Sequence, residues 1–177
     1  METGDADGIV YEVVDSPVGP LLLAATVAGL VRVAFSGEDH GAVLTGLSGT
    51  AGGPARRRPE RLAEAAGELD EYFAGRRDVF DLPLDLRRVG GFRRAVLDRL
   101  PKIGRGATAT YAEVAAGTGN PAAARAVGAA CGANPLPIVV PCHRVVRGDG
   151  SLGGYQGGTE TKRMLLDLEA SWRRAAV

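Results

Sequence analysis

The sequence predicts an α+β protein, strand-rich at first and mostly helical afterwards, and three observations carry that reading. Apolar, often β-branched runs cluster at residues 9–14, 21–26 and 30–35, with turn signals between them. Beyond residue 90 the apolar residues recur at helical spacing instead. Between these stretches, Arg87-Arg88-Val89-Gly90-Gly91 reads as a linker, so two domains are expected, 1–86 and 87–177.

The chain has 177 residues, 45% hydrophobic and 24% charged, which excludes a disordered tail or a fibrous protein. A chain of this length buries roughly 70% of its unfolded surface on folding and needs no staple. The longest apolar stretch, residues 18–31, is interrupted by Gly19, Pro20, Thr26 and Gly29, so no bilayer span and no membrane partner are expected. The acidic start Met-Glu-Thr-Gly-Asp-Ala-Asp is unlike a secretory signal, and Cys131 and Cys142 allow at most one disulfide. A reduced, cytoplasmic setting is the simpler expectation.

The three strands, joined by Ser16-Pro17-Val18-Gly19-Pro20 and Ala28-Gly29, are expected to form an antiparallel meander. Residues 37–59, rich in Gly, Ser and Thr and carrying Arg56-Arg57-Arg58, read as mostly loop. Leu62, Ala66, Leu69, Tyr72 and Phe73 predict a helix that stops at Gly75, and residues 79–86 a last short strand. After the linker, Phe92, Val96, Leu97 and Leu100 form a helical stripe ended by Pro101. Thr110 and Glu113 make a capping-box pattern opening a helix to about Thr118. Asn120 as N-cap and Pro121 as first helical residue predict a second helix, closed near Gly132. The pair is a helix-turn-helix candidate. Residues 138–140 then read as a buried strand running into Pro141-Cys142-His143-Arg144.

Charge is sorted along the chain. The 21 basic and 21 acidic residues cancel overall, yet residues 87–177 hold 14 Lys+Arg against 6 Asp+Glu, a net of +8, leaving −8 for residues 1–86. Either the second half meets a polyanion, nucleic acid first among the candidates, or the two halves attract one another.

Several residues could carry chemistry. Cys142 has His143, Arg144 and Arg147 nearby, and cationic neighbours favour the reactive thiolate; a buried Cys acting as a small hydrophobe is the alternative. On an extended chain Cys142 and His143 would point apart, so a dyad would need a tight turn or a bridging water. Glu169 borders the apolar stripe of Leu165, Leu168 and Trp172, either as its solvated rim or as the carboxylate that orients a His in a nucleophile relay. The second helix of the pair is built almost wholly of small residues around Arg125. It suits close helix packing with a surface charge, or entry into a groove with one long side chain to prop open the base stack. Gly153-Gly154-Tyr155-Gln156-Gly157-Gly158 is a plain connection or a pocket wall whose Tyr stacks on a base. Two Cys and two His, His40 and His143, lie without ligand spacing, so no metal is expected.

Arg125-Ala126-Val127-Gly128, Asn134-Pro-Leu-Pro-Ile138, Pro141-Cys142-His143-Arg144-Val145, Gly154-Tyr155 and Glu169, in this order, resemble the O6-alkylguanine-DNA alkyltransferase family. The likeness is dense from Tyr111 to Glu169 and weaker at residues 15–21 and 70–75. It implies an N-terminal ribonuclease H-like domain, an antiparallel sheet plus helix. Behind it would follow a mostly helical, winged helix-turn-helix-like domain that binds DNA and accepts the alkyl group. By the same resemblance Cys142 is the acceptor, activated through a water held by His143, which Glu169 orients, while Asn134 braces the turn before the active site. Tyr111 would press on the target phosphate and Arg125 fill the gap left by the extruded nucleotide, with Ala126 and Gly128 on the same DNA-facing helix. Tyr155, Cys131 and Val145 would line the guanine pocket. The implied partner is double-stranded DNA bearing O6-alkylguanine, with O4-alkylthymine a second candidate; the implied protein is a monomer that uses no cofactor and reacts once. The chain departs from the family's pattern at Arg93 and Leu97, where Gln and Trp are usual, and at residues 104–108. Two further classes stay open: a binder that recognises alkylguanine without repairing it, against which the retained Cys142 speaks, and a cysteine hydrolase or redox switch using Cys142 with Cys131.

Overall fold

A computed structural model describes residues 8–175. The chain divides into two compact units, Met1–Leu86 and Arg87–Val177.

In the first unit, β1 (Val10–Val14), β2 (Leu21–Thr26) and β3 (Gly29–Ala34) form the expected meander, antiparallel in both pairings. Strand β2 is central in the order β3-β2-β1-β4, and Leu21, Leu22, Leu23 and Ala24 are fully buried, so both of its faces are covered. Helix α2 (Pro59–Phe73) packs on β1 and β2 through Leu62, Ala65, Leu69 and Tyr72, a stripe of three- and four-residue steps. Its N-terminal turn carries Pro59, whose missing N–H would have had no helical partner there.

Two expectations fail in this unit. Residues 37–59 are not mostly loop: α1 (His40–Ala51) and the short strand β4 (Arg56–Arg57), parallel to β1, lie within them. Asp39 caps α1 by accepting from the Ala42 N–H at 3.0 Å, and Gly52 closes it in the left-handed conformation at φ 78°. No residue of α1 is buried, so there is no apolar stripe for periodicity to find. Residues 79–86 form no strand, only one parallel bridge between Leu84 and Leu30. The Asp81 N–H donates to Glu68 Oε2 at 2.9 Å and Pro83 has no N–H, so a continuous ladder cannot form. The segment instead grips β3 at Gly29, where a Cβ would stand 2.2 Å from the Pro83 carbonyl oxygen.

In the second unit, α3 (Gly91–Arg99) runs into a 3₁₀ turn over Leu100–Lys102 that absorbs Pro101. Strand β5 (Ala109–Thr110) leads into α4 (Tyr111–Gly117), whose capping box is complete: Thr110 N–H to Glu113 Oε2 at 2.7 Å and Glu113 N–H to Thr110 Oγ1 at 3.1 Å. Helix α5 (Ala124–Gly132) packs on α3 and α4 through Val127, Ala130 and Cys131. Its start differs from expectation. Asn120 is not the N-cap; its carbonyl accepts from the Ala123 N–H at 3.1 Å, closing a turn with Pro121 at the second position. Proline presets that turn position as readily as a helix start.

The strand expected at residues 138–140 is absent. These residues are buried but form a turn, with Ile138 at φ 74° and Val140 N–H bonded to the Leu136 carbonyl at 2.8 Å. Beyond them come a 3₁₀ turn at Cys142–Arg144, strand β6 (Val145–Val146) parallel to β5, and α6 (Thr159–Ala175). Among the described residues no helix is long and apolar enough to cross a membrane.

Candidate active site

The site begins with a buried side chain that replaces backbone pairing. Asn134 Nδ2 donates to the Val140 carbonyl at 2.8 Å, and Oδ1 accepts from the Leu136 N–H at 3.0 Å. These two bonds fold residues 134–140 into a tight loop and satisfy polar backbone groups that are costly to leave unpaired in a dry interior. The left-handed Ile138 is part of that loop. Cys142 therefore leaves the loop on a 3₁₀ turn rather than at the end of a strand, closed by Arg144 N–H to the Pro141 carbonyl at 3.1 Å. Cys142 and His143 thus share one tight turn rather than an extended strand.

Cys142, 3% exposed, lines a cavity of about 600 Å³ with Tyr111, Arg125, Gly128, Cys131, Arg147 and Tyr155. Burial pushes its thiol up, while a hydrogen bond from Asn134 and the charge of Lys162 pull it back. The sequence credited Arg144 with lowering this thiol, but that guanidinium is committed elsewhere. Arg144 Nε and Nη2 reach Glu169 Oε2 and Oε1, each at 2.9 Å, and Nη1 reaches the Ile103 carbonyl at 2.6 Å.

His143 and Glu169 are both fully buried, with His143 Nε2 2.7 Å from Glu169 Oε1. Burial would raise the Glu169 carboxyl, but hydrogen bonds from His143 and Arg144 outweigh it and hold it at about 2. An ionised carboxylate only accepts, so Nε2 carries the proton and Nδ1 is left as an acceptor. That Nδ1 is buried with no partner among the described residues. Burial, opposed by Glu169, lowers the imidazole, so it stays neutral at neutral pH.

Tyr111 opens α4 beside the cavity. A Cβ at Gly153, φ 74°, would lie 2.8 Å from its hydroxyl, so only glycine lets the loop pass there; at Gly128 a Cβ would be in ordinary contact with its ring. The Tyr155 ring meets that of His143 edge-on at 6.4 Å. Arg125 and Ala126 are exposed on α5, and only Arg125 lines the cavity. Val145 is not in the cavity wall: β6 buries it, and its carbonyl accepts from Lys162 Nζ at 2.6 Å. Cys131 does line the cavity, with burial driving its thiol up to about 12.

Sequence reasoning gave Arg144 the wrong task and missed the tasks of Lys162 and Gln156. Arg144 stood inside the Pro-Cys-His-Arg block. Lys162 is fully buried and bonds the Val145 and Gly154 carbonyls, its nitrogen 6.0 Å from the Tyr111 ring centroid. Its step of three to Leu165 and of seven to Glu169 places all three on one face of α6, which the helical period could have revealed. Gln156 donates to the Gly132 and Asn134 carbonyls, each at 2.9 Å, tying the Gly-rich loop to the end of α5. Among the described residues no cluster of three or more His, Cys, Asp or Glu could hold a metal ion.

Two short helices, α4 and α5, joined by a turn beside a cavity that Cys142 lines have the arrangement of a helix-turn-helix nucleic-acid-binding module. Residues 91–171 match the family described as 6-O-methylguanine DNA methyltransferase, DNA binding domain, and residues 9–86 its ribonuclease-like domain. The methylated-DNA–protein-cysteine methyltransferase of Mycobacterium tuberculosis is 43% identical over 169 residues, 92% of this chain and 93% of the relative. The constitutive enzyme of that name from Bacillus subtilis is 39% identical over 160 residues, covering 90% and 94%. A crystal structure of the Mycobacterium tuberculosis protein OGT in complex with DNA superposes with a TM-score of 0.82 at 40% identity, covering 92% of this chain and 94% of that one. The chain belongs to the 6-O-methylguanine DNA methyltransferase family.

Proposed function

We propose that this protein repairs double-stranded DNA by moving the alkyl group of O6-alkylguanine onto Cys142, once per molecule. The observation that carries the reading is the placement of Cys142: its thiol lines the cavity, and His143, its ring fixed by Glu169, is the next residue on the same tight turn. The cavity, about 600 Å³, falls in the range of roughly 300–1,000 Å³ typical of small-molecule pockets.

The O6 atom of guanine faces the major groove within the stack, so its alkyl carbon reaches a recessed thiol only after the nucleotide is flipped out. Arg125, exposed on the small-residue face of α5, fills the space left in the duplex, and Tyr111 meets the target phosphate. Phosphate attraction comes from the net +8 of residues 87–177. His143 Nδ1 takes the thiol proton through a bridging water, and the thiolate attacks the alkyl carbon. A carbon–sulfur bond forms, the carbon–O6 bond breaks with its electron pair on the guanine, and the guanine takes up a proton as the imidazolium gives one back. The products are guanine and an S-alkyl cysteine. A thioether has no hydrolysable bond, so the chain is spent. O4-alkylthymine presents the same chemistry. Residues 87–177 form the DNA-binding and acceptor domain and residues 1–86 a scaffold domain, acting together as a cytoplasmic monomer.

The test uses duplex DNA with a labelled O6-methylguanine. Label moves onto the native protein and onto Cys131→Ser, but not onto Cys142→Ser. Label carried by Cys142→Ser would refute the assignment.

A further inference from the structure

Arg147 lines the same cavity as Cys142, yet the mechanism above gives its side chain nothing to do. Its backbone is fixed in a closed turn after β6, with Arg147 N–H to the Ser151 carbonyl and Gly150 N–H to the Arg147 carbonyl, both at 2.9 Å. The nearby Asp149 carboxylate is occupied: its Oδ1 accepts from the Ser151 N–H at 2.9 Å and the Ser151 hydroxyl at 2.7 Å. Arg147 is exposed and makes no side-chain hydrogen bond or ion pair among the described residues. Arg144, Arg57 and Arg77, by contrast, are paired with Glu169, Glu12 and Glu71.

Its charge acts on Tyr111, which lines the cavity, and also on Asp149 and the buried Lys162. Burial raises the Tyr111 phenol and the Arg147 charge opposes it; burial lowers the Lys162 ammonium and the Arg147 charge adds to that. An alkylated guanine is uncharged and offers a second cation nothing to neutralise. A nucleotide whose base fills the cavity, however, brings its backbone phosphates to the mouth, where a planar guanidinium fits two phosphate oxygens at once.

From this placement we infer that Arg147 binds a DNA backbone phosphate adjoining the extruded nucleotide. The inference rests on the alkyl-transfer reading and adds a binding site from a second element, the loop after β6, to the one on α5. Arg147 thereby favours a lesion in DNA over the same lesion as a free base.

Single-turnover rates on duplex O6-methylguanine and on free O6-benzylguanine, measured across a salt series with the native protein, Arg147→Ala and Arg147→Lys, test it. Each phosphate neutralised contributes a slope of about −0.9 to log affinity against log salt. Arg147→Ala should flatten the slope for duplex DNA by about one and lower the duplex-to-free-base rate ratio roughly fivefold. Arg147→Lys should restore the slope, because the charge is kept, and only part of the ratio. An unchanged slope, or equal losses on both substrates, would overturn this role while leaving the transfer reading intact. No transfer by the native protein would overturn both.

Discussion

Nε2 of His143 lies 2.7 Å from Oε1 of Glu169, and neither side chain is reached by solvent. The same carboxylate takes two bonds from Arg144, so one buried negative charge serves two donors, and the charge of the cluster is balanced without protonating the imidazole. This fixes Nδ1 as the ring nitrogen free to accept a proton.

Glu169→Gln should therefore slow transfer on the order of 10²-fold, the lower end of what a placed base contributes. It also strands a buried Arg144, at about 3–5 kcal/mol of stability. Single-turnover rates on folded protein and binding to undamaged duplex separate the effects: the rate falls and the affinity stays. An unchanged rate would remove Glu169 from the relay.

Stability should decline on acidification in two stages. The folded His143 titrates below its ordinary value of 6.5, so below that pH the unfolded chain binds more protons and stability falls with pH. Glu169 titrates at about 2 when folded against 4.5 when free, so its contribution is full above 4.5 and disappears between 4.5 and 2. That second stage is of order 3 kcal/mol. Denaturant midpoints against pH should show both stages in the native protein and lose the lower one in Glu169→Gln.

Asn134→Ala should unfold more easily by roughly 2–5 kcal/mol, because the Leu136 N–H and Val140 carbonyl both lose their buried partner. At roughly 2–4 °C per kcal/mol for a chain of this size, thermal melting detects it. The Cys142 thiol, having lost the Asn134 hydrogen bond that favours its thiolate, should also react more slowly with a small thiol reagent. Native-like reactivity would mean that the thiolate does not depend on Asn134.

Arg125→Ala should impair repair of duplex DNA by about tenfold, some 1.4 kcal/mol, and affect free O6-benzylguanine far less, since only duplex DNA leaves a gap to fill. Paired rates on the two substrates decide it. Equal loss on both would mean that Arg125 acts on the base.

How far the sequence was legible depended on which physical signal each element carries. Strands β1 to β3 announced themselves as apolar, often β-branched runs between turn signals, and helix α2 by the three- and four-residue steps of its buried stripe. Helix α1 buries nothing and is held by its caps, so composition alone made it a loop. Residues 138–140 misled in the opposite direction: a β-branched apolar run reads as a strand, and only the reach of Asn134 back to Val140 turns it into a loop. In the site, Cys142, His143 and Glu169 were nameable from their ordered motifs. Lys162 was not, because a lysine reads as surface until the carbonyls of Val145 and Gly154 are seen closing on it.

If Cys142 is an acceptor used once, each chain can take up a single alkyl group. The most direct measurement counts methyl groups transferred per protein chain when O6-methylguanine duplex is in large excess. A rise to one methyl per chain is expected, found on the peptide that holds Cys142, with no further reaction afterwards. Transfer continuing past one per chain, with methanol released, would contradict single use of Cys142.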